Sequence, residues 1–442
     1  MKKIIKTALK YIVVYVILIT LFVALLALSS IFPSSWIKEN VAESTEYLIS
    51  EADSEESNYW YVPIVYKGIK VIFDNYSDAL MINTAYSIDN NEPLYSAFVA
   101  RKNYIPGKTD IIIEEGPGEL GFASKFTYRD QVQELNATVN GEVLESFEYA
   151  RYWHGYLAVI RPLLILFNIN SIRILFIILF IILGIILFYL LCKKINLITA
   201  IIFLIGLFYV EYLYIGLSIQ GSFVFFIMMI ASIIILKRYD KIKSFPLLFF
   251  ITGMITNFFD LLSAPALTLG IPMLIYFALK NKEQELSIKE YILKIASLSI
   301  SWVIGYALTW VAKWTLLDLI YQKNIFNVAL QQVFYRAGGE ETVSFLEVLI
   351  SNYEYVMGGI MISLLAIYIY TIAKGLSNYK LKLKLTKRIL PFFIIALIPI
   401  VWYFVVQNHS YHHAFFTYRN LALTLIGIPL GILTTLTFNK KV

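Results

Sequence analysis

The sequence predicts an all-α polytopic membrane protein with about ten transmembrane helices and a folded extracytoplasmic domain after the first helix. Two observations carry this prediction. Of the 442 residues, 59% are hydrophobic and only 15% are charged, which is too apolar for the surface of a soluble globule. Long apolar runs also recur along the chain, and about 20 such residues cross a bilayer as a helix. The chain is therefore expected in a lipid bilayer.

The first apolar run follows a basic start. Four lysines within the first ten residues precede an apolar stretch that reaches about Phe32. This stretch is longer than the apolar part of a secretory signal peptide, and the residues after it make a poor cleavage site. We expect residues 1–32 to stay as the first transmembrane helix, with the N-terminus in the cytoplasm.

The next segment, residues 33–156, is acidic and much less apolar. It holds 20 of the 31 Asp and Glu residues of the chain and only 9 of the 37 Lys and Arg residues. This composition predicts a folded extracytoplasmic loop domain. The single cysteine, Cys192, excludes an intrachain disulfide, so packing alone must hold this domain together.

Residues 157–442 are expected to form the transmembrane bundle, with outer loops at 317–355 and 408–419. If the chain crosses ten times, all the basic clusters between spans fall on one side, which the positive-inside rule places in the cytoplasm. Both termini are then cytoplasmic, and the composition suggests a bacterial plasma membrane. No exposed basic face remains for nucleic acid, so no nucleic-acid partner is expected. The nine predicted spans after the first are 172–192, 195–216, 217–236, 245–259, 261–279, 291–316, 356–374, 389–407 and 420–438.

The acidic domain contains a spaced carboxylate pair, Asp74 and Asp78. If one helix includes both, they share a face. Such a pair could deprotonate an acceptor hydroxyl or hold a divalent cation against a phosphate. The alternative is structural: Asp74 or Ser77 caps a helix, and Asp78 lies in its first turn, where the helix dipole favours a carboxylate.

The end of the same domain places Arg151 and His154 among four aromatic residues. Tyr and Trp are common at the level of the lipid headgroups, so this cluster fits an interfacial belt. It fits equally well a site for a sugar or a lipid phosphate, which aromatic rings and an arginine would bind.

Three of the four histidines, His409, His412 and His413, lie within five positions and precede Arg419. His409 and His413 are four residues apart and could ligate one metal, but a zinc site would need a third ligand from elsewhere. Alternatively, the histidines act as acid or base beside a phosphate bound by Arg419. We favour phosphate over metal; a polar turn at headgroup level is the structural alternative.

Three isolated charges, Glu211, Asp260 and Lys313, lie near predicted outer boundaries, and Arg336 lies in the late outer loop. Lys313 either meets an anionic lipid phosphate or extends to the membrane surface without a role. Asp260 either belongs to a site or caps the helix that follows it. Arg336 precedes two glycines and belongs either to a mobile lid or to a turn.

The layout of a first helix, a large acidic outer loop and about nine further spans with outer polar groups resembles the GT-C superfamily of membrane glycosyltransferases. The resemblance covers the whole chain in layout. It implies that a sugar passes from a polyprenyl-phosphate carrier to a cell-envelope polymer on the outer face, with a carboxylate of the first outer loop as base. That role would fall to Asp74 or Asp78. The carrier phosphate would meet Lys313, Arg419 and the histidines.

Three other classes remain open. One is a non-catalytic assembly partner, which would explain the outer domain and the aromatic belt but not the three histidines. A transporter or flippase of a lipid-linked or envelope precursor would carry polar residues at mid-membrane depth. A phosphotransferase acting on a lipid pyrophosphate would use the same histidines and arginine, with a histidine as nucleophile. The two enzymes differ in their products.

Overall fold

The computed structural model describes residues 2–52, 62–66, 69–73, 75–105, 113–114, 122–123, 131–142, 144–338, 343–377 and 379–440. This part of the chain is mostly α-helical. The α-helices are α1 (Lys2–Ser30), α2 (Lys38–Ala52), α3 (Asn75–Tyr86), α4 (Pro93–Val99), α5 (Gln131–Asn140), α6 (Leu157–Leu164), α7 (Ile169–Lys194), α8 (Leu197–Tyr209), α9 (Ile219–Arg238), α10 (Phe245–Phe259), α11 (Ala266–Glu283), α12 (Ile288–Tyr321), α13 (Ile325–Arg336), α14 (Phe345–Tyr353), α15 (Gly359–Leu376), α16 (Leu390–Ala396), α17 (Ile398–Val405), α18 (Gln407–His412), α19 (Ala414–Thr417) and α20 (Ala422–Leu433).

The strands are short and form four antiparallel pairs, β1 with β2, β3 with β6, β4 with β5 and β7 with β8. Three of the pairs belong to the segment between α2 and α6. Their bounds are β1 (Val62–Tyr66), β2 (Ile69–Phe73), β3 (Arg101–Tyr104), β4 (Ile113–Glu114), β5 (Phe122–Ala123), β6 (Glu145–Glu148), β7 (Tyr379–Leu383) and β8 (Leu436–Lys440).

Within the described residues, seven helical stretches are long and apolar enough to cross a bilayer, so the chain is a multi-pass membrane protein. The other three predicted spans fall on α8, α10 and α11. Because α8 and α10 have only 13 and 15 residues, the count of ten crossings stays a prediction. The seven stretches are Ile5–Ser30, Ile169–Lys194, Ile219–Lys241, Ile288–Tyr321, Gly359–Leu376, Lys387–Val405 and Ala414–Leu433.

Local signals set the ends of these helices. The side chain of Asn168 caps α7 by accepting the backbone N–H of Ser171 at 3.0 Å, and Ser287 with Glu290 forms a capping box at α12. α7 ends at Lys193 and Lys194, whose charges are favourable at a helix C-terminus.

The bundle has two chemically different ends. At the lysine-rich end, where α7, α9 and α11 finish, Lys282 donates to the carbonyl of Lys194 at 2.7 Å. The opposite end is covered by the segment before α6, and we call it the covered end. There the backbone N–H of Gly155 donates to the carbonyl of Phe258 at 2.9 Å.

A buried ion pair fastens the covering segment to the bundle. Asp78 in α3 is fully buried, and its Oδ2 accepts from Arg173 of α7 at 2.8 and 3.0 Å. Its Oδ1 accepts the backbone N–H of Ile219, the first residue of α9, at 2.8 Å. Arg173 also pairs with Glu51 at 3.0 Å. Asp78 therefore joins three helices.

Two glycines bring α10 and α12 into contact. A Cβ at Gly253 would lie 2.2 Å from the carbonyl oxygen of Trp302, and one at Gly305 would lie 2.2 Å from that of Phe250. Only hydrogen fits at either position, so the two backbones touch. This contact fixes the end of α10 against α12, where the candidate site lies.

Candidate functional site

The tip of the α10–α11 hairpin places a carboxylate inside the protein. Asp260, the residue after α10, is 1% exposed. Its Oδ1 accepts hydrogen bonds from the backbone N–H and the hydroxyl of Ser263, at 2.8 and 2.7 Å. The turn is tight and holds Leu262 at φ +68°, a left-handed conformation that residues with side chains seldom adopt. Asp260 thus holds the turn with one oxygen.

The other oxygen of Asp260 faces α12. The hydroxyl of Tyr306 donates to Oδ2 at 3.4 Å. Burial raises the pKa of Asp260 to about 6, although the hydrogen bonds from Ser263 act to lower it. The carboxyl group is therefore mostly ionised at neutral pH and near enough to its pKa to exchange a proton.

Aromatic rings surround this carboxylate. Trp310 lies one turn after Tyr306 on α12, and their ring centroids are 5.1 Å apart. The ring centroids of Tyr152 and Trp310 are 6.4 Å apart. The indole N–H of Trp314 donates to the carbonyl of Arg151 at 2.9 Å, which fixes the Tyr152 segment on α12. The indole N–H of Trp310 is buried without a hydrogen-bond partner. It is a donor that a ligand could use.

Two arginines face the ring of Tyr152. The guanidinium carbons of Arg151 and Arg336 both lie 5.6 Å from its centroid. Arg336 is the last residue of α13, and the amide of Asn408 fixes this helix end by donating to the carbonyl of Tyr335 at 2.9 Å. Nη1 of Arg336 is buried without a hydrogen-bond partner. The pair adds positive charge and N–H donors suited to an anion.

Two histidines line the same region. Nε2 of His409 lies 2.8 Å from the carbonyl oxygen of Leu262, which can only accept, so this nitrogen carries the proton. The rings of His409 and His413 are 4.7 Å apart. Burial, together with the guanidinium of Arg336, lowers the pKa of His413 to about 3, and burial also lowers the pKa of His409. Both imidazoles are therefore neutral at physiological pH.

Asn257 adds a buried amide. It is 1% exposed, and neither atom of its amide has a hydrogen-bond partner. It lies one turn after Gly253, which touches α12, so it faces the same helix as that glycine. We call the whole group the Asp260 cluster; its members are Arg151, Tyr152, Asn257, Asp260, Tyr306, Trp310, Arg336, His409 and His413.

The cluster brings together five of the residues expected from the sequence. These are Arg151, Asp260, Arg336, His409 and His413. Among the residues that the structure describes, no group of three His, Cys, Asp or Glu side chains could hold a metal ion. The arrangement combines N–H donors, a carboxyl group near its pKa and neutral imidazoles. It can bind an anion and move a proton.

Other expected residues lie apart from the cluster. Lys313 is fully buried and donates to the backbone carbonyl of Phe98, with the rings of Phe98 and Trp153 centred 3.9 and 5.4 Å from its Nζ. It is not positioned to meet a lipid phosphate. Lys313 instead docks the end of α4 onto α12.

His154 has a packing role. Its Nε2 lies 2.7 Å from the carbonyl oxygen of Tyr149, and its Nδ1 lies 3.2 Å from the hydroxyl of Tyr156. Both ring nitrogens are therefore engaged. Burial, and next the charge of Lys313, lower the pKa of His154 to about 3.

The remaining three expected residues differ in their surroundings. His412 is exposed and contacts the ring of Tyr411, 5.3 Å away. Arg419 pairs with Glu211 at 3.0 Å and lines a separate recess next to Phe416, which stacks on His413. Asp74 lies outside the described residues.

Tyr306 and Asn257 are two site residues that the sequence patterns did not single out. A signal for them exists. Tyr306 lies four residues before Trp310 on α12, so the two share one helix face, and Asn257 lies in the last turn of α10, three residues before Asp260. Polar groups that recur on one face at the end of an apolar helix indicate a polar contact there.

No family model matches this sequence, and no curated protein or solved structure matches it either.

Proposed function

We propose that the chain is a GT-C-type membrane glycosyltransferase that moves a sugar from a polyprenyl-phosphate carrier to a cell-envelope polymer. The observation that carries the proposal is a pair of buried donors without hydrogen-bond partners, Nη1 of Arg336 and Nε1 of Trp310, beside a carboxylate. Unpaired buried donors cost free energy, so a ligand that accepts from them is stabilised. A carrier phosphate, held by its lipid chain at the membrane surface, is such a ligand.

In the proposed reaction, Asp260 takes the proton of the acceptor hydroxyl while the hydroxyl oxygen bonds to the anomeric carbon of the sugar. The bond between that carbon and the phosphate oxygen breaks, and its electron pair stays on the carrier phosphate. Arg151 and Arg336 bind this phosphate and stabilise its charge as it leaves. The raised pKa of Asp260 makes its carboxylate a stronger base than an ordinary aspartate.

The base in this proposal differs from the one that the family resemblance implies. The resemblance places it in the acidic segment, at Asp74 or Asp78. Asp78 is fully buried, and both of its oxygens accept from Arg173 or Ile219. A carboxylate with these partners is not available to an acceptor. Asp74 lies outside the described residues, so among the carboxylates that the structure describes we assign the base to Asp260.

The distribution of charge favours an enzyme over a transporter. The Asp, Glu, Lys and Arg residues of the seven spanning helices lie toward their ends, and the central stretches, such as 174–192 and 295–312, carry none. A transporter for a charged substrate usually places such residues at mid-membrane depth. The Asp260 cluster instead lies at the covered end.

A second candidate is a phosphotransferase that acts on a lipid pyrophosphate. One observation favours it: His413 is neutral beside Arg336, and a neutral imidazole is the nucleophilic form. In that reaction a nitrogen of His413 would bond to phosphorus, and the lipid monophosphate would leave. Its products contain no new glycosidic bond.

The direct test is turnover by the full chain in proteoliposomes. Undecaprenyl-phosphate sugars are supplied with envelope polymer, and mass spectrometry measures free undecaprenyl phosphate and glycosylated polymer. We expect transfer by the wild type, and a loss of about 10²–10⁴-fold in Asp260→Asn, because a general base contributes that much. Arg336→Gln should lower transfer by a similar factor, since it removes one charged phosphate contact.

Matched controls are available at the lysine-rich end. Asp240→Asn and Arg238→Gln change the same residue types at exposed positions and should leave transfer unchanged. Full transfer by Asp260→Asn would remove the proposal. Release of inorganic phosphate from undecaprenyl pyrophosphate, without sugar transfer, would establish the second candidate instead.

A further inference from the structure

A recess opens next to the Asp260 cluster and is not used in the reaction described above. It lies between the start of α9, the turn after α8 and the segment that follows α18. Both polar and aromatic side chains line it, among them Glu211, Ser218, Gln220, Phe415, Phe416 and Arg419.

An ion pair forms one wall of the recess. Nη2 of Arg419 lies 3.0 Å from a carboxylate oxygen of Glu211, and both side chains are partly exposed, at 13% and 28%. The guanidinium of Arg419 also lies over the ring of Tyr418, 5.0 Å from its centroid. Glu211 adopts φ +59°, a left-handed conformation that costs free energy for a residue with a side chain. The surrounding structure thus fixes the backbone of Glu211, and Arg419 holds its carboxylate.

The recess adjoins the Asp260 cluster through two residues. Ser263 lines the recess, and its hydroxyl and backbone N–H both donate to Asp260. Phe416 also lines it and stacks on His413, with ring centroids 5.1 Å apart and an interplanar angle of 11°. A ligand that contacts Ser263 in the recess would therefore be separated from Asp260, the proposed base, only by that serine.

We infer that this recess binds an uncharged, hydroxyl-rich ring, the sugar of the acceptor; the inference rests on the proposed function. The charges of Glu211 and Arg419 cancel, and the carboxylate repels a phosphate. A sugar hydroxyl, by contrast, can donate to Glu211 and accept from Arg419 at once. Phe415 and Phe416 offer faces on which the C–H groups of a pyranose can pack.

The size of the recess limits how the ring is held. Its cavity volume is about 30 Å³, room for one or two water molecules. A pyranose therefore sits in the open mouth, with its hydroxyl edge directed inward. The rest of a polymer can continue into solvent, as an envelope acceptor requires.

The test measures sugar binding directly, without turnover. The full chain in nanodiscs is probed by saturation-transfer NMR with methyl glycosides of glucose, galactose, mannose and N-acetylglucosamine. We expect at least one glycoside to bind. Glu211→Gln should weaken that binding about ten- to hundredfold, because it removes a charge-assisted hydrogen bond. Arg336→Gln should leave glycoside binding unchanged.

A second pair of variants guards against misfolding. Gln220→Leu and Phe415→Leu keep the ion pair and should also weaken glycoside binding. Both variants should still bind phosphate, observed by ³¹P NMR. Phosphate binding should be lost only in Arg336→Gln. The inference is overturned if no glycoside binds, or if all three recess variants bind the glycoside as the wild type does. In either case, phosphate binding by the wild type would leave the proposed function standing. Glycoside binding lost in Arg336→Gln also overturns it, because the sugar would then lie in the Asp260 cluster.

Discussion

The two carboxylate oxygens of Asp260 have different hydrogen-bond partners. Oδ1 accepts two hydrogen bonds from Ser263 and holds the hairpin tip, while Oδ2 has only the long contact with Tyr306. The carboxyl group is therefore fixed in orientation but only partly satisfied. Burial makes its ionised form costly, so its contribution to stability falls as the pH rises from its ordinary pKa, 3.8, to about 6.

The same shift sets the pH dependence of activity. A base must be ionised, so we expect turnover to rise with pH through an apparent pKa near 6 and to level off above it. His413, already neutral with a pKa of about 3, should not contribute to this rise. The measurement is the turnover rate between pH 5 and 8 for the wild type and His413→Gln. A rise that disappears in His413→Gln would assign the titration to histidine.

Single residues were the hardest to predict. Asp260, Arg336 and the histidines stand out in the sequence because charges and imidazoles are rare in apolar stretches. Their partners are remote in the chain, as with Arg336 and Tyr152, and no local pattern encodes such a pair. For the same reason the sequence could not show that Asp78 and Lys313 are buried with partners of their own.

Helices were more predictable than residues, because an apolar run of helical length is a local signal. Each predicted span overlaps at least one helix, although 389–407 contains both α16 and α17 and 420–438 runs past α20 into β8. α12 is longer than predicted and extends from Ile288 to Tyr321. The stretch 317–355, expected as an outer loop, contains α13 and α14. A capping box at Ser344 and Glu347 starts α14, and this signal was present in the sequence.

The contact between α10 and α12 leads to a prediction at this scale. Gly253→Ala would force a methyl group against the carbonyl oxygen of Trp302, and we expect the free energy of unfolding to fall by about 1–3 kcal/mol. Activity should fall with it, because α10 and α12 position Asp260 and Tyr306. The measurement is the unfolding transition in detergent, followed by circular dichroism.

The control for this substitution is Gly375→Ala. Gly375 lies in α15 with no heavy atom within 4 Å of an added Cβ, and alanine favours a helix by about 1 kcal/mol over glycine. This variant should be as stable as the wild type or more stable. Equal stability of the two variants would show that α10 and α12 are not closely packed.

At the scale of the whole molecule, two kinds of polar residue lie at opposite ends of the bundle. Basic residues collect where α7, α9 and α11 finish, and the Asp260 cluster lies at the covered end. Hydropathy predicted the membrane class, and the positions of Lys and Arg along the chain predicted that the basic clusters gather on one side, because both signals are read directly from the sequence. We propose that the covered end faces outward from a bacterial plasma membrane and that both termini are cytoplasmic.

Cysteine labelling tests this orientation. The only cysteine, Cys192, is removed as Cys192→Ser, and exposed positions are then changed singly, Tyr411→Cys at the covered end and Leu385→Cys at the lysine-rich end. In intact cells a membrane-impermeant maleimide should label only Tyr411→Cys, while both should react after lysis. Labelling of Leu385→Cys alone would invert the orientation, and labelling of both in intact cells would show an even number of crossings between them.

The hydrogen bond between Asp78 and the backbone N–H of Ile219 joins residues 141 positions apart. A ribosome adds about 5–20 residues per second, so roughly 7–30 s pass between the synthesis of the two. Arg173, the other partner, follows Asp78 by 95 positions. The acidic segment therefore finishes packing only after α7 and the start of α9 have been made. The folding of the acidic segment is therefore complete only after helices that leave the ribosome later have been inserted into the membrane.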